Sequence, residues 1–106
     1  MIYHITVQAD WSSALDAGVY TADSLASQGF IHCSTREQVL PVAKRYYAGQ
    51  TGLVLLCIEE EKLTAPVRYE NLDGGEEHFP HIYGPLNLEA VVQALAFSPE
   101  GWTFPK

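Results

Sequence analysis

Basic residues are scarce in this chain. It has 6 lysines and arginines against 13 aspartates and glutamates, which gives a formal net charge of −7 over 106 residues. Because affinity for nucleic acids comes chiefly from neutralising phosphates, this balance argues against a nucleic-acid partner. It leaves open a small phosphate-bearing ligand, which backbone amides or a single arginine can hold.

Long apolar runs and cysteine motifs are also missing. No apolar run approaches the ~20 residues that span a bilayer, so we expect no membrane contact. Residues 1–4 lack the positive region and apolar stretch of a signal peptide, which favours a cytoplasmic protein. The two cysteines, Cys33 and Cys57, lie in apolar runs without a Cys-x-x-Cys spacing, which favours free buried thiols over a disulfide.

Familiar catalytic and nucleotide-binding motifs are absent as well. The sequence has neither a dinucleotide-binding glycine fingerprint nor a P-loop, and no Gly-x-Ser-x-Gly surrounds a serine. Cys33 directly follows His32, and neighbours on a strand point to opposite faces, so this histidine is not expected to activate the thiol. The four histidines have few carboxylates at helical spacing, so we predict no metal site.

The chain does contain short apolar stretches separated by turn residues. Its length predicts a single domain, with a core over residues 1–97 and an irregular tail over 98–106, whose Trp102 and Phe104 pack onto the core. Residues 73–77 form the clearest turn. Apolar patterning predicts strands over residues 2–7, 29–34, 53–58, 67–70 and 79–83, and a helical turn near residue 88 followed by a strand over 91–97.

Helix signals occur at three places. Residues 10–18 predict a helix that begins at an Asp10 cap and turns Trp11, Ala14 and Leu15 inward. Residues 23–29 predict a single turn that ends at a glycine. A third helix follows Ser34, with a late start or kink at Pro41, a capping box at Thr35 or Ser34, and a buried stripe formed by Val39, Val42, Ala43 and Tyr46. Together the elements favour an α+β fold with a strongly bent sheet over a doubly wound parallel sheet.

Polar residues form pairs on one face of three predicted strands. If those strands are neighbours, the pairs converge on one cleft. Each pair also has an ordinary interpretation, because a strand histidine or tyrosine is often a satisfied core residue and a serine before a helix is often its cap. The pairs are His4 with Thr6, His32 with Ser34, and His81 with Tyr83.

Arg68 and Glu70 form a fourth pair, opposite Tyr69 on a short strand. Such a pair is usually a solvent-exposed ion pair of little consequence. If it faces the cleft instead, Glu70 is the natural catalytic carboxylate and Arg68 the natural phosphate partner.

With these residues in view, the chain resembles a bacterial family known as domain of unknown function 952 (DUF952). The resemblance covers roughly residues 1–97 and rests on motifs that occur in a fixed order. They are Ile2-Tyr3-His4-Ile5-Thr6, Asp23-Ser24-Leu25, Gly29-Phe30-Ile31-His32-Cys33-Ser34, Gln38-Val39, Leu53-Val54-Leu55-Leu56, Val67-Arg68-Tyr69-Glu70 and Phe79-Pro80-His81-Ile82-Tyr83-Gly84-Pro85-Leu86.

This resemblance implies an ADP-ribosyltransferase-like fold, with two main helices and a bent, split mixed sheet around an NAD-binding cleft. It also implies that His4 holds a ribose, that Tyr83 packs on nicotinamide and that Glu70 supports transfer. Fold likeness alone does not carry an activity across.

We therefore expect a small enzyme that binds NAD, as a substrate, or a related nucleotide. Its catalytic residues would be Glu70, His32 and His81, and its ligand would be held by His4, Thr6, Ser34, Arg68 and Tyr83. The alternative is a non-catalytic domain of the same fold that binds a small ligand or a protein. The enzyme hypothesis requires His4, His32 and Glu70 to line one open cleft.

Overall fold

The structure, a computed structural model, describes residues 1–71, 75 and 77–105. Most of the turn predicted over residues 73–77 lies outside the described residues. The described part contains three α-helices and eight strands, which confirms the predicted α+β class. In chain order they are β1 (Ile2–Val7), α1 (Gln8–Ala17), β2 (Val19–Tyr20), α2 (Asp23–Gln28), β3 (Ile31–His32), α3 (Val39–Tyr46), β4 (Leu53–Ile58), β5 (Val67–Glu70), β6 (Phe79–Ile82), β7 (Leu86–Asn87) and β8 (Val91–Phe97), with 3₁₀ turns at Glu60–Lys62 and Leu88–Ala90.

Among the described residues, the strands form three separate sheets. Their orders are β1-β4-β8, β2-β7 and β3-β6-β5. Every pairing in that described part is antiparallel, so the expectation of a mixed sheet was wrong. Connection length does not explain this, because the segment between β1 and β4 contains three helices and is long enough for the crossover that a parallel pair needs. The two neighbours of β4 nevertheless both run opposite to it.

Strand β4 lies at the centre of the first sheet and is buried on both faces. All six of its residues are buried, as its uninterrupted apolar sequence predicted. Val54, Leu56 and Ile58 face one apolar cluster, which also contains residues of the other two sheets. Leu55 faces a second cluster, which lies against α3 and the C-terminal tail. One strand therefore separates two cores.

Helix α1 begins at Gln8, two residues before the predicted Asp10 cap, and the extended Val7 takes the N-cap position. Gly18 ends the helix at φ 81°, a conformation that glycine adopts without steric cost. Trp11 and Ala14 are buried as expected, but Leu15 is 55% exposed. The inward assignment of Leu15 was wrong because the sheet covers only the stripe through Trp11 and Ala14.

Helix α3 begins late, at Val39, so that Pro41 falls in its first turn, where a missing N–H breaks no intrahelical bond. The side chain of Gln38 accepts the backbone N–H of Thr35 at 2.9 Å, which is half of the predicted capping box. Val39 and Ala43 are buried. Tyr46 is 58% exposed, so its place on the buried stripe was a wrong prediction.

The C-terminal tail packs onto the second apolar cluster, as predicted. The indole Nε1 of Trp102 donates to the carbonyl of Ala96 at 2.9 Å. The guanidinium of Arg36 lies 4.1 Å from the centre of the Phe104 ring. The tail therefore covers the end of edge strand β8. Among the described helices, none is long and apolar enough to cross a membrane.

Candidate functional site

Three strands from two sheets meet at one seam. Strand β3 pairs with β6, which sets His32 opposite His81. Tyr3 of β1 and Ser34, two residues after β3, exchange two backbone hydrogen bonds of 2.8 Å. The polar pairs noted in the sequence are therefore neighbours in the fold.

A cleft of about 800 Å³ opens along the edge of β1 beyond this seam. β1 pairs with β4 on one side only, and Tyr3 is its bridged residue on the other. Six of the eight residues expected at a site line this cleft: His4, Thr6, His32, Ser34, Glu70 and His81. The other two, Arg68 and Tyr83, lie beside the cleft and are not among the residues that line it.

At the base of the cleft, His4 belongs to a chain of hydrogen bonds. Its Nδ1 lies 2.5 Å from the carbonyl oxygen of His32, so Nδ1 carries the hydrogen and donates it. Its Nε2 lies 2.8 Å from the Tyr20 hydroxyl, and that hydroxyl lies 3.0 Å from the one of Thr6. In a neutral imidazole Nε2 accepts from Tyr20, which leaves the Tyr20 oxygen to accept from Thr6. Both ring nitrogens of His4 are thus engaged.

Burial keeps these groups neutral. It lowers the pKa of His4 from 6.5 to about 4, although the hydrogen bond to the His32 carbonyl partly opposes that shift. Burial also raises the pKa of Tyr20 to about 12, against a smaller opposite effect of its bond with Thr6. His4 therefore acts here as a neutral imidazole that ties β1 to β3.

Glu70, near the end of β5, is the partly buried carboxylate of the cleft, with a side chain 25% exposed. Its Oε1 accepts the Tyr83 hydroxyl at 2.5 Å, and this bond, with smaller effects of burial and the carboxylate charge, raises the pKa of that tyrosine. Nδ1 of His81 lies 3.3 Å from the same oxygen. Within the described residues this buried nitrogen has no hydrogen-bond partner of good geometry. The carboxylate and the imidazole are therefore close enough to act together.

A single aromatic ring supports these groups. The ring centre of Phe30 lies 4.9 Å from that of His32, 4.6 Å from that of His81 and 5.4 Å from that of Tyr83. The outer nitrogen of His32, Nε2, donates to Gln28 at 2.7 Å. Phe30 thus packs against both cleft histidines at the seam.

Arg68 lies outside the cleft lining and stacks on the Tyr83 ring. Its guanidinium lies 5.3 Å from the centre of the Tyr83 ring, and the residue is exposed. The Tyr83 ring thus contacts the Arg68 guanidinium, and the Tyr83 hydroxyl contacts Glu70, while neither Tyr83 nor Arg68 is among the residues that line the cleft.

Helix α3 contributes a wall of the cleft that the sequence interpretation missed. Pro41, Val42, Arg45 and Tyr46 line it from one face of the helix, together with Tyr47. Their spacing of three and four residues is the signal that could have identified them. The guanidinium of Arg45 lies over the Tyr46 ring, 5.4 Å from its centre.

Negative charge prevails in the described lining of the cleft. Asp10, Glu70 and Glu77 supply carboxylates, while Arg45 supplies a guanidinium. Among the described residues, no group of three or more histidine, cysteine, aspartate or glutamate side chains could hold a metal ion. The described lining thus offers acids, imidazoles and aromatic rings to an organic ligand.

These features define an α+β domain with three small antiparallel sheets and a histidine-lined cleft at a seam between two of them. The chain matches the family described as protein of unknown function (DUF952) over residues 5–94, and it belongs to that family. No curated protein sequence matches it.

Solved structures of one bacterial protein share the fold. The crystal structure of CC0527 from Caulobacter crescentus is 35% identical, with a TM-score of 0.80, and the match covers 90% of this chain and 83% of that one. Its solution NMR structure is also 35% identical, with a TM-score of 0.78 and coverage of 90% and 82%. A double variant of the same protein gives 34% identity and a TM-score of 0.80.

Proposed function

We propose that the cleft is the active site of a small ADP-ribosyltransferase-like enzyme that binds NAD or a related nucleotide. One observation carries the proposal: His4, His32 and Glu70, which come from three separate strands, line one open cleft. Its volume lies within the range of about 300–1,000 Å³ that small-molecule sites occupy. If Glu70 had pointed into solvent, the cleft would have lacked the carboxylate that stabilises the positive charge on the ribose.

The edge of β1 suits the carboxamide of a nicotinamide ring. The backbone N–H and C=O of Tyr3 point away from β4, toward Ser34. Backbone groups alternate in direction along an antiparallel edge, so those of Ile5 also point away from β4, and Ile5 lines the cleft. One N–H and one C=O side by side match the acceptor and donor of a carboxamide. Ser34 and His32 lie next along the seam, where a ribose would follow.

His4 and Tyr83 take supporting roles in this proposal. Both nitrogens of His4 bind protein groups, so His4 holds β1 against β3 and leaves contact with the ribose to its neighbours. Tyr83 holds Glu70 by its hydroxyl and does not stack on the base. Both are positioning residues, and Glu70, His81 and His32 are the groups that meet the ligand.

The reaction breaks the glycosidic bond between C1′ of the ribose and the ring nitrogen of nicotinamide. Nicotinamide leaves with the bonding electrons, and the positive charge that develops on the ribose is stabilised by the Glu70 carboxylate. An acceptor hydroxyl or water then attacks C1′ and gives its proton to His81 or His32. The products are nicotinamide, the ADP-ribosylated acceptor or free ADP-ribose, and one proton.

Nicotinamide release with water as the acceptor tests this function, because it needs no knowledge of a natural acceptor. We expect release that is faster than without protein and that falls about 10²-fold or more in Glu70→Gln. An amide-shift NMR titration with NAD should show saturable shifts at Ile5, Ser34 and His32. Glu61→Gln makes the same chemical change at an exposed site outside the cleft lining and should leave both readouts unchanged.

Absence of shifts at millimolar NAD, together with no nicotinamide release, would refute the proposed function. Release that survives Glu70→Gln unchanged would refute the role of that carboxylate.

A second function is favoured by the chain of hydrogen bonds at the base of the cleft. Because His4, Tyr20 and Thr6 satisfy one another, much of the polar surface there is structural. This favours a non-catalytic domain that binds a small ligand or a protein. Saturable NAD binding without nicotinamide release would support it over the enzyme.

A further inference from the structure

We propose that the cleft selects a small planar organic cation over an anion, so that a pyridinium nucleoside suits it better than a diphosphate does. This inference rests on the proposed function, because it concerns the same cleft, and it names the part of the nucleotide that the cleft recognises.

The charged side chains of the described lining are mostly acidic. They are the three carboxylates of Asp10, Glu70 and Glu77 against the guanidinium of Arg45. His4 adds no positive charge, because burial lowers its pKa to about 4. Glu70 is the least exposed of the carboxylates, so water and salt screen its field least. A cation entering the cleft therefore meets net attraction.

Glu70 also has one oxygen left for a ligand. The Tyr83 hydroxyl and Nδ1 of His81 both approach Oε1. Among the described residues no hydrogen bond or ion pair ends on Oε2. A ligand can contact Oε2 without displacing either protein group.

Aromatic faces supply a second attraction for the same class of ligand. Tyr46, Tyr47 and Phe79 line the cleft, and the electron-rich face of such a ring attracts a cation. The chain already uses this contact in the lining, where Arg45 lies over Tyr46, and outside it, where Arg68 lies over Tyr83. A flat cation such as a pyridinium ring combines this stacking with the field of the carboxylate.

An anion finds much less in the described lining. Arg45 is the guanidinium there, it is exposed, and it is already stacked on Tyr46. Arg68, which the sequence suggested for phosphate, stacks on Tyr83 outside the lining. A diphosphate would thus have one exposed cation against three carboxylates.

Two forms of one ligand isolate the effect of charge. Nicotinamide riboside has a positively charged ring, and its reduced form has almost the same shape but a neutral ring. We expect the oxidised form to bind about tenfold more tightly by titration calorimetry, which corresponds to about 1.4 kcal/mol. ADP-ribose, which has the diphosphate but lacks the ring, should bind more weakly than either. A buffer of about pH 8 keeps histidines of ordinary pKa neutral.

Variants identify the groups that cause the preference. Glu70→Gln keeps an oxygen for Tyr83 and should lower the affinity for nicotinamide riboside about fivefold, with little effect on its reduced form. Glu77→Gln should lower it less, because that residue is exposed. Arg45→Gln should raise it. Lys44→Gln is the matched control, since Lys44 is exposed on the same helix but does not line the cleft.

Equal affinity for the two ring forms, tighter binding of ADP-ribose, or no binding of either ring form would overturn this inference. Each of these outcomes leaves the proposed function standing if NAD still binds and releases nicotinamide. A tenfold preference that depends on Glu70 supports the inference even if NAD is not turned over.

Discussion

Acidification puts the burial of His4 to a quantitative test. Burial lowers the pKa of this imidazole from 6.5 to about 4, and unfolding restores its ordinary value. Between these two pH values the unfolded chain binds a proton that the folded chain does not, so the free energy of unfolding falls as the pH falls. The slope is about 1.4 kcal/mol per pH unit, and the complete loss, reached below the folded pKa, is about 3 kcal/mol.

The assay is urea unfolding followed by tryptophan fluorescence, repeated from about pH 7 to about pH 4.5. Many carboxylates titrate near the lower end, so the quantity to examine is the stability difference between the wild type and His4→Asn. Asparagine cannot titrate, but its amide can still donate to the His32 carbonyl. We expect the variant to be less stable by about 1–3 kcal/mol near pH 7.

The stability of the wild type relative to His4→Asn should fall by about 2–3 kcal/mol as the pH falls to about 4.5, so that the difference closes or reverses sign. His78→Asn, at an exposed histidine, should follow the wild type at every pH. A difference between wild type and His4→Asn that stays constant over the whole range would show that His4 is not held neutral in the fold.

Three further perturbations test other parts of the structure. Tyr20→Phe removes the donor to Nε2 of His4 and should lower the free energy of unfolding by about 1–3 kcal/mol in urea titrations. Gly84→Ala places a Cβ 2.8 Å from the Cβ of Ala65 and should cost about 1–3 kcal/mol, seen as a lower Tm. The two cysteines are buried and burial raises the pKa of both thiols, so neither should react with a disulfide reagent near neutral pH until the protein is unfolded.

Each of these tests has a matched control. Tyr46→Phe removes a hydroxyl from an exposed tyrosine and should cost well under 1 kcal/mol; an equal cost for Tyr20→Phe would contradict the hydrogen-bond chain. Gly75→Ala meets no heavy atom within 4 Å and should leave Tm nearly unchanged. Ser13→Cys provides an exposed thiol that should react at once. Native cysteines that react as fast as this one would contradict their burial.

Local signals accounted for most of the elements. The bounds of β1, β4 and β8 follow from apolar patterning, and Gly18 and Gly29 end helices because they adopt positive φ angles. Such features depend on a few adjacent residues, so a short stretch of sequence is enough to predict them.

Which residue of a helix is covered depends on distant parts of the chain. Leu15 and Tyr46 each adjoin buried positions but are exposed, because the sheet and the tail cover only a narrow stripe of α1 and α3. Hydrophobic patterning finds the stripe within about one residue and does not fix its edge.

Most residues of the site could be predicted from the sequence, but the tertiary contacts that bring them together could not. The alternation of polar side chains identified His4, His32 and His81, but pairing between β3 and β6 is a contact over 49 residues of chain from His32 to His81, which no local pattern encodes. Arg45 enters the cleft only because α3 packs beside β1. The separation of Arg68 from the cleft likewise depends on a tertiary contact, its stacking on Tyr83.

The seam between β1 and β3 has a mechanical consequence. Across it run the two backbone bonds between Tyr3 and Ser34 and the bond from His4 to the His32 carbonyl, while the shared apolar cluster holds the two sheets by contacts that have no preferred direction. Neither ladder continues across this line, so in the described structure these three bonds and the apolar cluster set the angle between the two sheets. The width of the cleft along β1 therefore depends on the angle at which these bonds hold the two sheets, as well as on the side chains that line it.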